Sequence, residues 1–289
     1  MHRESRRLDE LSIWDTRRAP VWVIVAALAV NGLAAYFFNF VVGAHHWLGP
    51  LALATQGLIQ PTWIMAPTLI IIMIVGLIIH VGGLRWADVG FIPSRIWPAV
   101  IFTVALWAMV NGGLAIMDLI NHLPMTLDDS WAKLGIPRKA GIFIGQIFGN
   151  TPIEEILFRG FLLVQLALIW RPLGQTKALV IALIASQLIF ALMHIPFLIV
   201  QGHHFPEICF GLTELFIMGS IFAIIYLATN NLFIAMGTHA LANQSMQVPS
   251  GSTSVFEGID VFSCIALAAS LLWWWRGGLV RQKGKGLTA

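Results

Sequence analysis

The sequence predicts an all-α, polytopic membrane protein, a helix bundle with about eight transmembrane helices. Two observations support this fold class. Hydrophobic residues make up 58% of the 289 positions and charged residues only 11%, against roughly 45–50% and 25% in soluble globular proteins. The apolar residues are also gathered into runs of about 20, the length that spans a bilayer as a helix. A soluble fold of this size could not bury so much apolar surface.

The first four spans are predicted from the runs 20–42, 63–82, 96–120 and 139–169. The first run is long enough to span and has no small-residue cleavage site behind it, so we expect it to be retained rather than removed as a signal peptide. The third run ends close to Asp118. The fourth contains the stretch TPIEEILFRG, in which three charges interrupt an otherwise apolar run.

The other four spans are predicted from the runs 177–200, 210–229, 232–247 and 255–275. The fifth contains His194. The sixth contains Glu214, which we interpret as an interfacial or paired residue, with a role as a further cavity carboxylate kept open. The seventh is the shortest and contains His239. The eighth ends in three tryptophans followed by Arg276, which is typical of an aromatic anchor at the lipid headgroups.

The distribution of Lys and Arg predicts that both termini are cytoplasmic. If the N-terminus is cytoplasmic and eight helices alternate, thirteen of the 17 Lys and Arg residues fall on the cytoplasmic side. Three fall outside, and Arg159 lies within the fourth helix. This asymmetry is the one that the positive-inside rule describes. The three outer residues are Lys133, Arg138 and Lys139.

Composition divides the chain into four segments. Residues 1–19 form a basic cytoplasmic segment, and residues 20–138 contain the first three helices. Within these, the stretch 84–98 is too polar to span and too aromatic for a free linker, so we predict an interfacial segment. Residues 139–250 contain helices four to seven. Residues 251–289 contain the last helix and a basic tail.

The remaining composition gives few functional indications. The net charge of +3 comes from few ionisable groups and indicates no nucleic-acid partner. The two cysteines, Cys209 and Cys264, match no metal or redox spacing. Both lie in or beside apolar runs, so we predict that they are small buried hydrophobic residues.

The three charges of TPIEEILFRG are Glu154, Glu155 and Arg159. A charged side chain at mid-bilayer costs about 2.5–3.5 kcal/mol, so these groups should face the interior of the bundle and pair. Glu155 and Arg159 are four residues apart and share one helix face. Glu154 lies about 100° around the helix from Glu155 and can contact a different partner.

Candidate partners lie on two later spans. The fifth contains FALMH, which puts Phe190 and His194 on one helix face, and the seventh contains THALAN, which does the same for His239 and Asn243. Glu154 and His194 are equally distant in sequence from the charged loop between their helices. The side chains of Glu154 and His194 should therefore lie at similar depths in the membrane, and the helix geometry permits the motif residues to meet there.

These residues could be structural or chemical. Glu155 with Arg159 could be a structural ion pair. A single intramembrane His or Asn usually forms a hydrogen bond that holds two helices together. The set as a whole indicates chemistry. A carboxylate beside a histidine in a secluded wet cavity can hold and deprotonate a water, and a second histidine with an asparagine can donate to a developing oxyanion. Such a set could hydrolyse an amide without a covalent nucleophile.

Two catalytic motifs of other proteases are absent from the sequence. Neither G-x-S-x-G nor H-E-x-x-H occurs. Histidine and carboxylate side chains suit zinc. A metal held by Glu154, His194 and His239 therefore stays open beside a metal-free, glutamate-activated water.

The motifs also resemble those of a known family. EExxxR, FxxxH and HxxxN occur in that order, each on an apolar helix. The series is similar to the three motifs of the CPBP (Abi) intramembrane proteases, which include the Ras-converting CAAX endopeptidases. LRWADVGF also resembles a segment found upstream in bacterial members. The resemblance implies an eight-helix endopeptidase of a bacterial plasma membrane, with residues 139–250 as its catalytic core.

The resemblance also implies residue roles. Glu154 and His194 would activate the water, and His239 with Asn243 would support the oxyanion. The other motif residues would have supporting positions: Glu155, Arg159 and Phe190. The family has been described both as metalloproteases and as glutamate-dependent enzymes, and we favour the second mechanism while keeping zinc open. The implied partners are the bilayer and a membrane-associated substrate, either a prenylated CAAX-type protein or a leader peptide.

Two other functions fit part of the sequence. A non-catalytic relative could act as an immunity factor or membrane scaffold, but the intact motifs argue against this. A proton-coupled transporter would also place Glu, Arg and His inside helices. The sequence shows neither an internal repeat nor a pair of Gly/Pro-broken helices, which weakens the transporter hypothesis.

Overall fold

The computed structural model describes residues 12–43, 45–250 and 260–285, with side chains described as far as residue 276. Within these residues the secondary structure is helical and contains no β-strand, which confirms the predicted fold class. The helices in chain order are α1 (Val21–Gly43), α2 (Thr62–Val81), α3 (Pro93–Ile120), α4 (Ile136–Leu173), α5 (Gln175–Val200), α6 (Phe205–Thr229), α7 (Leu232–Asn243) and α8 (Val261–Lys285).

Helices α1 to α6 are long and apolar enough to cross a membrane, which confirms an integral, multi-pass membrane protein. In the described part of the chain, α7 has 12 residues and α8 is apolar as far as Arg276. The number of crossings, the cytoplasmic termini and the division into four segments stay predictions. Parts of three predicted segments lie outside the described residues: 1–11, 44, 251–259 and 286–289.

Helix α4 lies at the centre of the bundle. In its most apolar window 67% of the residues are buried, against 17–33% in the other five long helices. Helices α5 and α7 pack against α4, and α6 packs against both α5 and α7. A helix that carries three charges needs this enclosure, because on a lipid-facing helix the charges would meet hydrocarbon.

Glycines let α4 approach neighbouring backbone closely. A Cβ added at Gly141 would lie 2.1 Å from the carbonyl oxygen of Leu58, and one at Gly160 would lie 2.1 Å from that of Val89. Small residues have this role at many transmembrane helix interfaces. Val89 belongs to the predicted interfacial segment 84–98. That segment therefore packs directly against the central helix.

Prolines interrupt the regular winding of α4 and α5. A proline lacks an amide N–H and crowds the carbonyl group four residues earlier. Around Pro152, α4 is wound as a π-helix over Gln146–Asn150 and Glu155–Leu163. Helix α5 has a break at His194, two residues before Pro196. π-helical segments are frequent at functional sites. Both irregularities lie beside motif residues.

The buried carboxylate of Asp88 ties the N-terminal segment to the loop before α3. It accepts hydrogen bonds from the backbone N–H of Arg17 and from the guanidinium of Arg85, whose Nη2 lies 2.8 Å away. Gln165 of α4 adds a second link. Its Oε1 accepts from the N–H of Ala19 at 2.7 Å, and its Nε2 donates to the carbonyl oxygen of Arg17. The segment before α1 is thus anchored on the central helix.

After α7 the chain continues as a non-helical segment, residues 244–250, which two indole rings hold in place. The Nε1–H of Trp107 in α3 donates to the carbonyl oxygen of Met246 at 2.9 Å. The Nε1–H of Trp131, in the short helix Asp129–Leu134 before α4, donates to the carbonyl oxygen of Gln247 at 2.6 Å. These contacts fix the position of the end of α7.

The prediction that the two cysteines are buried is wrong. Both Cys209 and Cys264 are exposed on the surface of the described chain. They lie on α6 and α8, apolar helices whose outer faces meet lipid in a membrane. Hydrocarbon is as apolar as a protein core, so an apolar run does not indicate which of its small residues face inward.

Candidate active site

Glu155 lies at the centre of a charge cluster and is itself fully buried. Its Oε1 lies 3.0 Å from Nη1 of Arg159, one turn along α4, and neither side chain has any exposed surface. The same Oε1 accepts a hydrogen bond from Nδ1 of His239 at 2.8 Å. Glu155 therefore connects α4 to α7 and fixes the histidine ring so that Nε2 points away from it.

Glu154 lies between the two motif histidines. Its Oε1 is 3.8 Å from Nε2 of His194, and its Oε2 is 3.6 Å from Nε2 of His239. The side chains of Glu154 and His194 are 15% and 22% exposed, whereas that of Glu155 has no exposed surface. The cluster thus has a buried half, which holds the geometry, and an accessible half, which a substrate could reach.

The break in α5 brings His194 to this cluster. In a continuous helix Pro196 would crowd the carbonyl of Leu192, and the regular helix ends at Leu192. His194 then acts as the N-cap residue of the short helix Ile195–Val200. Its Nδ1–H donates to the carbonyl oxygen of Phe190 at 2.8 Å, which leaves Nε2 facing the carboxylate of Glu154.

Two phenylalanines pack around the charged groups. Phe222 of α6 stacks on the ring of His239, with centroids 4.4 Å apart and planes inclined by 19°. Phe190 lies edge-on to His194 at 4.7 Å between centroids. Its ring also lies 4.2 Å from the guanidinium carbon of Arg159, within range of a cation–π contact. The rings therefore restrict the motion of both histidines and of the arginine.

Asn243 shares a cavity with three other motif residues, Phe190, His194 and His239. Its Nδ2 donates to Oε1 of Gln146 at 3.0 Å. Together with His194 and His239 it lines a cavity of about 320 Å³. Glu214 lines the same cavity, which places this carboxylate beside the candidate site. The structure thus gathers six motif residues by direct contact and brings Asn243 to them across the cavity.

Three residues of this site were not predicted from the sequence: Gln146, Gly219 and Phe222. The carbonyl oxygen of Gly219 accepts a hydrogen bond from Nη2 of Arg159 at 3.2 Å. Gln146 had a detectable signal, because positions 146, 150 and 154 are polar at four-residue spacing in an apolar run. Gly219 and Phe222 had none, since glycine and phenylalanine occur throughout the apolar runs.

A zinc ion held by Glu154, His194 and His239 has suitable ligand chemistry and stays a prediction. Among the described residues, no three His, Cys, Asp or Glu side chains are grouped so that they could hold a metal ion. Both histidine Nδ1 atoms are engaged, with Phe190 and Glu155. The Nε2 atoms face different oxygens of Glu154. This geometry suits proton transfer.

Comparison with known families supports the motif assignment. Residues 137–245 match the family model described as type II CAAX prenyl endopeptidase Rce1-like. The matched segment contains all seven motif residues and extends from the start of α4 to just beyond α7. The resemblance to the CPBP intramembrane proteases is thereby confirmed over this segment. Searches of curated proteins and of solved structures give no significant match.

Proposed function

We propose that this integral membrane protein is a CAAX-type endopeptidase in which Glu154 and His194 activate a water molecule. The supporting observation is the position of the Glu154 carboxylate between the Nε2 atoms of His194 and His239, at 3.8 and 3.6 Å. Both separations are longer than a good hydrogen bond. A water bound against the three side chains would bridge them.

The reaction is hydrolysis of a peptide bond. Glu154 accepts a proton from the water while the water oxygen bonds to the carbonyl carbon. His194, oriented by Phe190, holds the water by accepting a hydrogen bond from it at Nε2. The proton is then delivered to the amide nitrogen as the carbon–nitrogen bond breaks. One water is consumed, and a new carboxyl and a new amino terminus are released.

The second pair of motif residues stabilises the charge that develops on the carbonyl oxygen. Asn243 lines the cavity and donates from its side-chain amide. His239 donates Nδ1–H to Glu155 and, in its imidazolium form, donates Nε2–H toward the cavity. Removing one such donor typically lowers kcat by about 10²- to 10³-fold.

The substrate is a membrane-associated polypeptide. The reacting groups lie on α4, α5 and α7, within apolar helices, so the scissile bond must reach them from the membrane or its surface. A prenylated CAAX tail and a leader peptide are the two substrate classes that we propose to test.

The test compares purified wild type with Glu154→Gln on membrane-tethered peptides of both classes, with products identified by mass spectrometry. We expect wild type to cleave one class and Glu154→Gln to lose about 10²- to 10⁴-fold in kcat. Asp129→Asn is the matched control, because its carboxylate is 81% exposed. Equal cleavage by wild type and Glu154→Gln would contradict the role of Glu154, and no cleavage by wild type would instead favour a non-catalytic membrane protein.

A further inference from the structure

Polar side chains recur every fourth residue along one face of α4. Gln146, Asn150 and Glu154 occupy this face in a helix that is otherwise apolar around them. A polar side chain within a transmembrane helix is unfavourable unless it is hydrogen-bonded. Gln146 and Asn150 belong to none of the three motifs, and the reaction outlined above gives neither of them a role.

Gln146 accepts hydrogen bonds from two amide side chains. Its Oε1 lies 3.0 Å from Nδ2 of Asn243 and 3.5 Å from Nδ2 of Asn150. A carboxamide oxygen can only accept, so this contact fixes which end of the Asn243 amide faces α4. One N–H of Asn243 is thereby engaged, and the second N–H of the same group is held in a defined direction.

The backbone of Asn243 is fixed independently of Gln146. Asn243 is the last residue of α7, and Gln244 already has extended angles, φ −147° and ψ 90°. Trp107 and Trp131 hold the two residues that follow Ser245 through their carbonyl oxygens. The rotation of the side-chain amide is what the backbone contacts leave undetermined.

We infer that Gln146 is a positioning residue for Asn243, which orients the Asn243 amide toward the cavity that it shares with His194 and His239. This inference rests on the proposed function, in which Asn243 donates to the oxyanion. Gln146 does not touch the reacting atoms. Its effect passes through Asn243, so the two residues should be energetically coupled in the transition state and not merely in folding.

A double-mutant cycle tests this coupling. Gln146→Met removes the acceptor at similar volume, and Asn243→Ala removes the donor. In wild type we expect Gln146→Met to lower kcat about 10-fold or more with little change in KM, a loss confined to the transition state. In the Asn243→Ala background we expect the same change to alter kcat less than about 2-fold, because the group to be positioned is gone. Equal effects in both backgrounds would overturn the inference.

Two further variants separate positioning from folding. Gln146→Glu keeps an acceptor oxygen and should recover part of the activity that Gln146→Met loses. Gln201→Met removes an exposed glutamine from a loop and should leave kcat unchanged. If Gln146→Glu is as impaired as Gln146→Met, retention of the acceptor is irrelevant and the inference fails.

A spectroscopic measurement keeps the inference testable apart from catalysis. The side-chain amide signals of Asn243 can be assigned in ¹⁵N spectra by their loss in Asn243→Ala. In Gln146→Met we expect both proton shifts of this amide to move, and unchanged shifts would overturn the inference. If wild type cleaves no peptide, or Asn243→Ala is fully active, the catalytic role fails instead, and the spectra still decide whether Gln146 orients Asn243.

Discussion

Oε1 of Glu155 lies 2.8 Å from Nδ1 of His239, although 84 positions separate the two residues in the chain. This contact changes the interpretation of Glu155. From the sequence alone it could be one half of a structural ion pair with Arg159. In the structure it also orients the histidine that faces Glu154, so the pair belongs to the candidate active site.

Glu155 both pairs with Arg159 and orients His239, and a paired substitution separates these two contributions. Glu155→Gln leaves Arg159 buried without its nearest counter-charge, and we expect the free energy of unfolding to fall by about 3–5 kcal/mol. Glu155→Gln combined with Arg159→Met removes both charges and should recover most of that loss. Peptidase activity should stay low in the double variant, because a neutral amide holds His239 less strongly than a carboxylate does. Full recovery of activity would assign Glu155 a purely structural role.

The stacking of Phe222 on His239 gives a smaller and separate prediction. Phe222→Leu keeps an apolar side chain but removes a ring contact worth about 0.5–1.5 kcal/mol. If the stack holds the imidazole in place for reaction, kcat should fall by about 2- to 10-fold. Phe210→Leu, at an exposed position of the same helix, is the control. Equal kcat values for the two variants would show that the stack is dispensable.

Acidification should weaken the contacts that the Asp88 carboxylate makes with Arg17 and Arg85. Burial alone would raise the pKa of Asp88, but hydrogen bonds from Arg85 and from the backbone of Arg17, with the charge of Arg85, hold that pKa below its ordinary value of 3.8. A carboxyl with a lowered folded-state pKa stabilises the fold above its unfolded-state pKa, and this contribution is lost as the pH falls through the folded-state value.

The measurement for Asp88 is thermal stability as a function of pH. Wild type should be more stable than Asp88→Asn at pH 7, and the difference should begin to shrink below about pH 4. A difference that is constant from neutral pH to about pH 3 would contradict the assignment to this carboxylate.

The contact between Gly160 and Val89 predicts a strong packing defect. Gly160→Ala would place a Cβ 2.1 Å from a backbone carbonyl oxygen, and backbone cannot yield as a side-chain end can. We expect poor folding or a large drop in melting temperature. Gly112→Ala is the matched control, since a Cβ there meets nothing within 4 Å and alanine is the better helix former by about 1 kcal/mol. Equal stability of the two variants would contradict the close approach of α4 to this loop.

Metal removal distinguishes a metalloprotease from a glutamate-dependent enzyme, the two mechanisms that the resemblance allows. We expect purified, active protein to contain zinc well below one ion per chain and to keep its activity in a strong chelator. Elemental analysis of wild type beside His194→Ala provides the measurement. Stoichiometric zinc in wild type that is lost in His194→Ala, together with inhibition by the chelator, would overturn the metal-free mechanism.

The sequence predicted the helices more successfully than the contacts between them. Periodicity placed Glu155 and Arg159 on one face of α4, since i and i+4 residues are neighbours in any helix. It could not place His239 against Glu155, because that contact depends on how α7 packs on α4. The equal distance of Glu154 and His194 from the loop between their helices predicted that they lie at a common depth. In the structure Oε1 of Glu154 lies 3.8 Å from Nε2 of His194.

Other features had no local signature. Phe222 resembles every other phenylalanine of the apolar runs until α6 is packed beside α7. The cysteines were misjudged because lipid and protein core accept the same side chains. The segment 84–98 was expected to lie at the interface, and its packing against Gly160 depends on a backbone contact that hydropathy does not report.

The ion pair within α4 also affects the order in which the chain can be assembled. During synthesis α4 precedes α5 and α7, so His194 and His239 enter the membrane after Glu154, Glu155 and Arg159. A partner four residues away in the same helix needs no later segment, and the 3.0 Å contact between Glu155 and Arg159 can form at once. Two of the three charges of α4 can therefore pair within the helix itself. Only Glu154 depends on histidines that enter the membrane later.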